Sequence, residues 1–330
     1  MTTRSFAPAP VSRRALVAGS GAALLASALP ALAADAWPTR PIRFVVPFSA
    51  GGANDLLGRA AAEGASRTLG QPVIVDNKPG AGAVLGTDLV AKAAPDGYTF
   101  LISAAGVISN SMIRKVAYKD SDLVPVALVG LAPSVIVVPA NSPYKDLKDF
   151  VAASKKGPGL HFATAGTGST PHFVQGLLTT KYNAKLDLVP YKSGSESIAA
   201  VLGGQVDATS EASIVVLPYL KSGKLRALVT TWTQRISAWP ALPTAAELGF
   251  PEIRIAHWAG VHAPAGVPAP ILDKLAAAVD AAMKDRATAE RLRGLGIEPI
   301  GGTRASFIQF VNEERARLGG VVKATGMKEE

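Results

Sequence analysis

The sequence predicts an α/β fold of two lobes, each a mostly parallel sheet flanked by helices, with two chain crossings between them. Three observations carry this reading. Short apolar runs alternate with amphipathic stretches twice over, from Pro41 to Ser103 and again from Leu147 to Thr230, which is the pattern of a parallel sheet covered on both faces. An almost purely apolar run, Leu123 to Val138, is longer than one strand needs. An Ala-Pro-rich piece, His257 to Pro270, has the look of a return crossing.

In chain order, Phe44, Val45 and Val46, with Phe48 beyond Pro47, make a short buried strand that runs into Ser49-Ala50-Gly51-Gly52. A helix follows from Asn54 to Leu69, with Leu56, Leu57, Ala60, Ala61 and Leu69 on its inner side and Gly70 as its stop. Val73 to Asn77 is the second strand, Lys78-Pro79-Gly80-Ala81-Gly82 leads into a helix through Leu85, Leu89 and Val90, and Tyr98 to Ser103 is the third strand. The run Leu123 to Val138, broken by Pro125, Gly130 and Pro133, crosses to the second lobe. There the elements are helix Leu147 to Ser154, strand Leu160 to Ala163, loop Ala165 to Pro171 and helix His172 to Thr180. Strand Leu186 to Tyr191, helix Ser195 to Leu202 and strand Val206 to Thr209 come next, then a helix ended by Pro218 to Ser222 and a strand from Lys224 to Thr230. Two helices, Ile271 to Met283 and Ala305 to Ala324, close the chain with apolar stripes that read as core faces. The first lobe is thus expected over 35–133 plus 260–330 and the second over 134–259. A cleft between such lobes is a preferred small-ligand site and can close by hinge motion.

Residues 1–34 are set aside as a signal peptide. Ser12-Arg13-Arg14 precedes an apolar run from Ala15 to Leu32, interrupted by Gly19, Ser20, Gly21, Ser27 and Pro30 and closed by small residues, so cleavage is expected near Ala33 or Ala34 and the address is the periplasm. The paired arginines resemble a twin-arginine signal, although an ordinary secretory segment also carries two basic residues. No later segment is apolar for the eighteen or so residues a spanning helix needs. Of 330 residues 48% are hydrophobic and 18% charged, enough apolar material for a sizeable core. Losing Arg4, Arg13 and Arg14 with the signal lowers the net charge from +9 to +6. The remaining Lys and Arg are spread singly, with no recognised nucleic-acid motif, so the charge argues for small anions rather than nucleic acid. The absence of cysteine excludes disulfides, thiol chemistry, cysteine zinc sites and a lipid-anchored N-terminal cysteine.

Catalytic machinery is not legible. His161, His172, His257 and His262 include no pair at the i, i+4 spacing of a helical zinc site, there is no G-x-S-x-G elbow, and Ser193 and Ser195 have no assigned base. Gly80, Gly82 and Gly86 are spaced G-x-G-x-x-x-G after the second strand rather than the first, and no Walker lysine accompanies them, so neither a nucleotide nor any other cofactor is expected. What remains is a pair of glycine-rich loops, Ser49 to Gly52 and Thr167 to Thr170, each ending a strand and opening a helix. Backbone N–H groups and the helix dipole at such a turn favour an anion.

Several stretches resemble, in order along the mature chain, the Bug proteins, periplasmic solute receptors of tripartite tricarboxylate transporters. They are Pro41-Ile42-Arg43 through Val46-Pro47-Phe48 to Gly51-Gly52-Ala53-Asn54-Asp55, Val75-Asp76-Asn77-Lys78-Pro79-Gly80-Ala81-Gly82, Ala94-Pro95-Asp96-Gly97-Tyr98-Thr99, Val189-Pro190-Tyr191-Lys192, Gly203-Gly204-Gln205-Val206-Asp207, Gly223-Lys224-Leu225-Arg226-Ala227-Leu228 and Ala263-Pro264-Ala265-Gly266. The resemblance implies a type II-like venus flytrap, a binding protein and not an enzyme. In it loop amides and hydroxyls grip the carboxylate of a small organic acid: a di- or tricarboxylate, an amino acid or an aromatic acid. By position it places Phe48, Ser49, Ala50, Gly51 and Gly52 on one side of the ligand, with Ala104 and Ala105 at the end of the third strand, and Thr167, Gly168, Ser169 and Thr170 on the other side. Where the family commonly has an Asp-Asn type pair after its V-D strand, this chain has Ser210-Glu211-Ala212. If Glu211 faces the ligand ionised, it repels a second carboxylate and favours an ammonium, ring N–H or hydroxyl at the far end; the alternative is a solvated glutamate at the rim or between lobes. The implied partners are the integral-membrane components of such a transporter, served by a monomeric receptor. A sensing co-receptor for a membrane kinase and a secreted hydrolase are the other readings.

Overall fold

The computed structural model describes residues 37–191 and 193–328, so the signal segment lies outside the described residues. Everything described from Arg40 onward packs as one unit, built on a sheet in which one strand is common to two halves.

In the first half, β1 (Ile42–Val46) lies between β2 (Val73–Asn77) and β3 (Thr99–Ser103), parallel to both. Helix α1 (Ala53–Leu69) joins β1 to β2 and ends at Gly70 with φ 69°, the left-handed stop its sequence position predicts. Its buried face holds Leu57, Ala60 and Ala61, while Leu56 and Leu69 are only half-buried. Helix α2 (Val84–Ala91) follows a tight turn at Ala81–Ala83, and Leu85 points outward, 56% exposed. Helix α3 (Ala105–Ile113) is an element the sequence did not announce.

The apolar run becomes a single 17-residue strand, β4 (Leu123–Pro139), buried over almost its whole length. From Leu123 to Pro133 it pairs antiparallel with β9 (Ala256–Pro264), and from Ser134 onward with β7 (Ala208–Ala212) and β8 (Leu225–Thr230). Each half covers its own part of the strand, so an apolar run too long for one sheet serves two. Register shifts between Pro125 and Ala127 and between Leu128 and Gly130 bend it where Pro125 cannot donate to the ladder.

In the second half β5 (Leu160–Thr164) is parallel to β6 (Leu186–Pro190) and to β7. Helices α4 (Leu147–Ser154), α5 (Thr170–Tyr182), α6 (Gly194–Leu202) and α7 (Ser213–Lys221) alternate with these strands. The return is through β9, which brings the chain back beside β3. It ends in α8 (Ala269–Lys284), the unannounced α9 (Arg286–Gly294), the short β10 (Glu298–Pro299) paired with β4, and α10 (Arg304–Thr325). Phe307 of α10 is fully buried, edge-on to Trp258, and sits over Gly260, where a Cβ would collide with the ring.

Candidate ligand-binding site

The first candidate loop leaves the carboxyl end of β1. Gly51 has φ +86° with open space around it, so backbone conformation, not crowding, requires glycine there. Its N–H donates to Asp55 Oδ2 at 2.9 Å, and Asp55, 2% exposed, also accepts Arg59 Nε at 2.9 Å and Asn77 Nδ2 at 2.9 Å. Burial would raise this carboxyl, but the bonds from Arg59, Gly51 and Asn77 hold it below its ordinary value. Asn77 Nδ2 also reaches Phe48 O at 3.0 Å, and Asn54 Nδ2 donates to Trp258 O at 2.9 Å. The loop is thus braced from α1, β2 and β9 by Asp55, Asn77 and Asn54. The sequence offered these residues only as parts of the Asn54-Asp55 and Asp76-Asn77 motifs.

The second loop leaves the carboxyl end of β5. Gly168 has φ +77°, and its N–H donates to His172 Nδ1 at 3.3 Å, which requires that nitrogen to be unprotonated. Burial lowers His172 to about 4, consistent with that role. Ser169 donates to Gly166 O both through Oγ, at 2.6 Å, and through its N–H, at 3.2 Å. The N–H groups of Gly51, Gly168 and Ser169 therefore have partners within the protein, which narrows the expectation of a row of unpaired loop amides.

The other candidate donors are at the helix starts. Helices α1, α3 and α5 begin after Gly52, Ala104 and Ser169, none of which caps its helix with a side-chain bond. By contrast α4, α6, α9 and α10 are capped by Asp146, Ser193, Asp285 and Thr303. Helices α2, α7 and α8 are also uncapped; α5 and α8 both carry proline in the first turn, and α7 begins beside Glu211, whose side chain takes the Ala212 N–H. What α1, α3 and α5 share is a start just after the carboxyl ends of β1, β3 and β5. Ala104 and Ala105 follow directly on the end of β3 at Ser103, where they were expected, and are the N-cap and first residue of α3. The structure also brings the second loop against the other end of α3: Arg114 Nη2 donates to Thr167 O at 2.9 Å, and a Cβ on Gly168 would collide with Ile113 Cδ1.

Glu211, at the carboxyl end of β7, is 4% exposed and so is not a solvated rim residue. Its carboxyl lies against Gly194 at the start of α6, where any Cβ would collide with it, and Oε1 has no hydrogen-bond partner. Burial pushes it up to about 8, disfavouring the ionised form that a charge-repulsion role assumes.

Among the described residues no group of three or more His, Asp or Glu side chains is arranged to hold a metal. His257 is near Ser134 Oγ (3.5 Å) and His262 bonds Ser103 Oγ (2.7 Å), and burial lowers them to about 4 and 3, so both are neutral structural residues. A surface hollow of about 390 Å³ between α5, Pro251 to Arg254 and α10 contains none of the loop residues. Its lining mixes Leu177, Pro251, Val321 and Ala324 with the charged Lys181, Glu252, Arg254 and Arg317; the loops at the carboxyl ends of β1 and β5 are the candidate site because α/β folds bind ligands at those strand ends.

Comparison with known proteins agrees with this architecture. A family model described as tripartite tricarboxylate transporter family receptor matches residues 57–327. The protein BugT of Bordetella pertussis is 37% identical over 302 residues, covering 90% of this chain and 93% of BugT. The structure of Rpa4515 of R. palustris with adipate has a TM-score of 0.81 at 31% identity, covering 88% of this chain and 99% of that one. MatC of Rhodopseudomonas palustris with bound malate has a TM-score of 0.77 at 33% identity, covering 87% and 100%. The chain therefore belongs to the tripartite tricarboxylate transporter receptor family, the periplasmic solute-binding proteins that include the Bug receptors, and is a binding protein rather than an enzyme.

Proposed function

We propose that this receptor is exported to the periplasm, captures a small organic acid by its carboxylate, and delivers it as a monomer to the membrane components of a tripartite tricarboxylate transporter. The site is formed by Phe48 to Gly52 with Ala104 and Ala105 from one lobe (35–133 with 260–330) and by Thr167 to Thr170 from the other (134–259). The observation that carries this reading is the group of three helix starts, α1, α3 and α5, without side-chain caps at the carboxyl ends of β1, β3 and β5. These are the strand ends at which α/β folds bind ligands. A hydrogen bond to a charged group contributes roughly 1.5 to 3 kcal/mol, so three or four reach the roughly 8 kcal/mol of a micromolar ligand before ordering costs. A surface helix dipole adds under about 1 kcal/mol and would not suffice alone. Relatives bound to adipate and malate support a carboxylate.

Glu211 is the group we assign to the ligand's far end, because it ends β7 beside the strand that carries the second loop and has an unpartnered oxygen. The test is a thermal-shift screen of wild type and Glu211→Ala against mono-, di- and tricarboxylates, amino acids and aromatic acids. At least one carboxylate should raise Tm by mass action, and the variant should change the order of preference. No shift with any acid would overturn the receptor site; an unchanged order would remove Glu211 from it.

A further inference from the structure

The Lys78 to Gly82 motif has no role in the site just described, yet it is the most strained segment among the described residues. Four consecutive residues have positive φ, Gly80 at 147°, Ala81 at 47°, Gly82 at 60° and Ala83 at 77°, and two of them are alanines. L-residues occupy that region at an energetic cost, and such a turn persists only where its surroundings hold it. What holds it is the end of α3. Asn110 Nδ2 donates to Gly82 O at 2.9 Å and Arg114 Nη1 to Ala81 O at 3.2 Å. Gly82 leaves room for the guanidinium, since a Cβ there would be 3.2 Å from both Nη1 and Nη2. The other arm of the same fork donates to Thr167 O, at 2.9 Å, on the second loop.

One guanidinium therefore spans two carbonyls from the two halves of the sheet, with Ile113 seated at Gly168 beside it. A purely local role in bracing the 80–83 turn needs only the Ala81 bond. The Thr167 bond does something else, because it cannot survive separation of the halves. We propose that Arg114 is a positioning residue for ligand capture: its strained seat presents a planar fork that locks the Thr167-Gly168 loop against α3 when the lobes come together. The planar fork matters, since a lysine ammonium lacks the paired, fixed donors needed to hold both carbonyls at once. Its effect on ligand release rests on the interlobe carboxylate site proposed above; its effect on lobe separation does not.

Because the chain contains no cysteine, spin labels can be placed uniquely by Leu85→Cys and Leu202→Cys, at exposed positions in the first and second halves. Pulsed dipolar distance measurements on ligand-free protein should show a short-distance population that falls in Arg114→Ala and is only partly kept in Arg114→Lys. Stopped-flow measurements with a carboxylate that binds should show dissociation about tenfold faster in Arg114→Ala, the factor one charge-assisted hydrogen bond provides, with association unchanged. Identical distance distributions in wild type, Arg114→Lys and Arg114→Ala would overturn the latch. If Arg114→Ala does not fold, the Arg114→Lys distribution decides by itself. If no carboxylate binds wild type, the site reading fails while the distance data still judge Arg114.

Discussion

Glu211 illustrates how burial and helix dipoles compete over a single group. Its carboxyl is near the starts of α6 and α7, which favour the anion, but a partly buried helix terminus contributes at most about 2 kcal/mol. Full burial can shift a carboxyl by several units, so the acid wins and the group titrates near 8 instead of its ordinary 4.5. The sign for stability follows from proton counts: between 4.5 and 8 the folded state holds a proton that the unfolded state has lost, so stability falls as pH rises through that window. In Glu211→Gln, which cannot ionise, this decline should disappear. Urea unfolding at pH 5 and pH 8 should show the variant gaining roughly 2 to 4 kcal/mol on wild type across the window. A constant difference would mean that Glu211 is ionised in the folded protein. At this scale the sequence was legible where backbone conformation dictates the residue, as at Gly51 and Gly168. It was not legible where long-range burial does, because nothing beside Glu211 in the chain announces that Gly194 will cover it.

The elements divide in the same way. Strands β1 to β3, β5, β6 and β8 were readable because each is a short, largely apolar run between turn residues, and α10 because Phe307, Val311 and Leu318 recur at helical spacing. Strand β7 was expected over Val206 to Thr209 but runs Ala208–Ala212, a polar stretch that burial and not hydropathy makes a strand. Helix α3 was not, since Ala-Gly-Val-Ile-Ser-Asn-Ser-Met-Ile has no capping residue before it and is rich in weak helix formers. Packing makes it a helix, and it starts with no side-chain cap. Helix α9 was overlooked because Asp285 follows α8 immediately and caps the next helix through Thr288 N–H at 2.9 Å, with no turn residues to mark the break. One of the tight junctions between elements is Gly260 of β9 under Phe307 of α10. Gly260→Ala should destabilise the fold by about 1 to 3 kcal/mol through overpacking, readable as a lower urea midpoint at unchanged slope. The double variant Gly260→Ala/Phe307→Leu should recover part of the loss if the collision with the ring is its cause.

Across the whole molecule, two segments run between the halves, and a small polar cluster ties them together. Ser134 O, where β4 changes partners, accepts the Thr231 N–H at 2.8 Å and Thr231 Oγ1 at 3.2 Å; the same hydroxyl lies 2.7 Å from Ile255 O on the segment that enters β9. The Ile255 N–H in turn donates to Thr231 O at 2.8 Å. Thr231 is fully buried, so its hydroxyl has no water to fall back on. Thr231→Val keeps the shape and the backbone bonds but removes the hydroxyl, leaving one carbonyl bond unmade at the crossing. Unfolding by urea should register a loss of about 1 to 2 kcal/mol. Because this cluster joins neighbouring segments within the crossing, it should stay intact whether the lobes are apart or together. Calorimetric Kd for a bound carboxylate should therefore change by less than about twofold, since a contact equally present in two states shifts no population between them. A large loss of affinity with unchanged stability would instead make Thr231 part of the closing motion, and the bend would then have to run through the residue that ties the two crossings together.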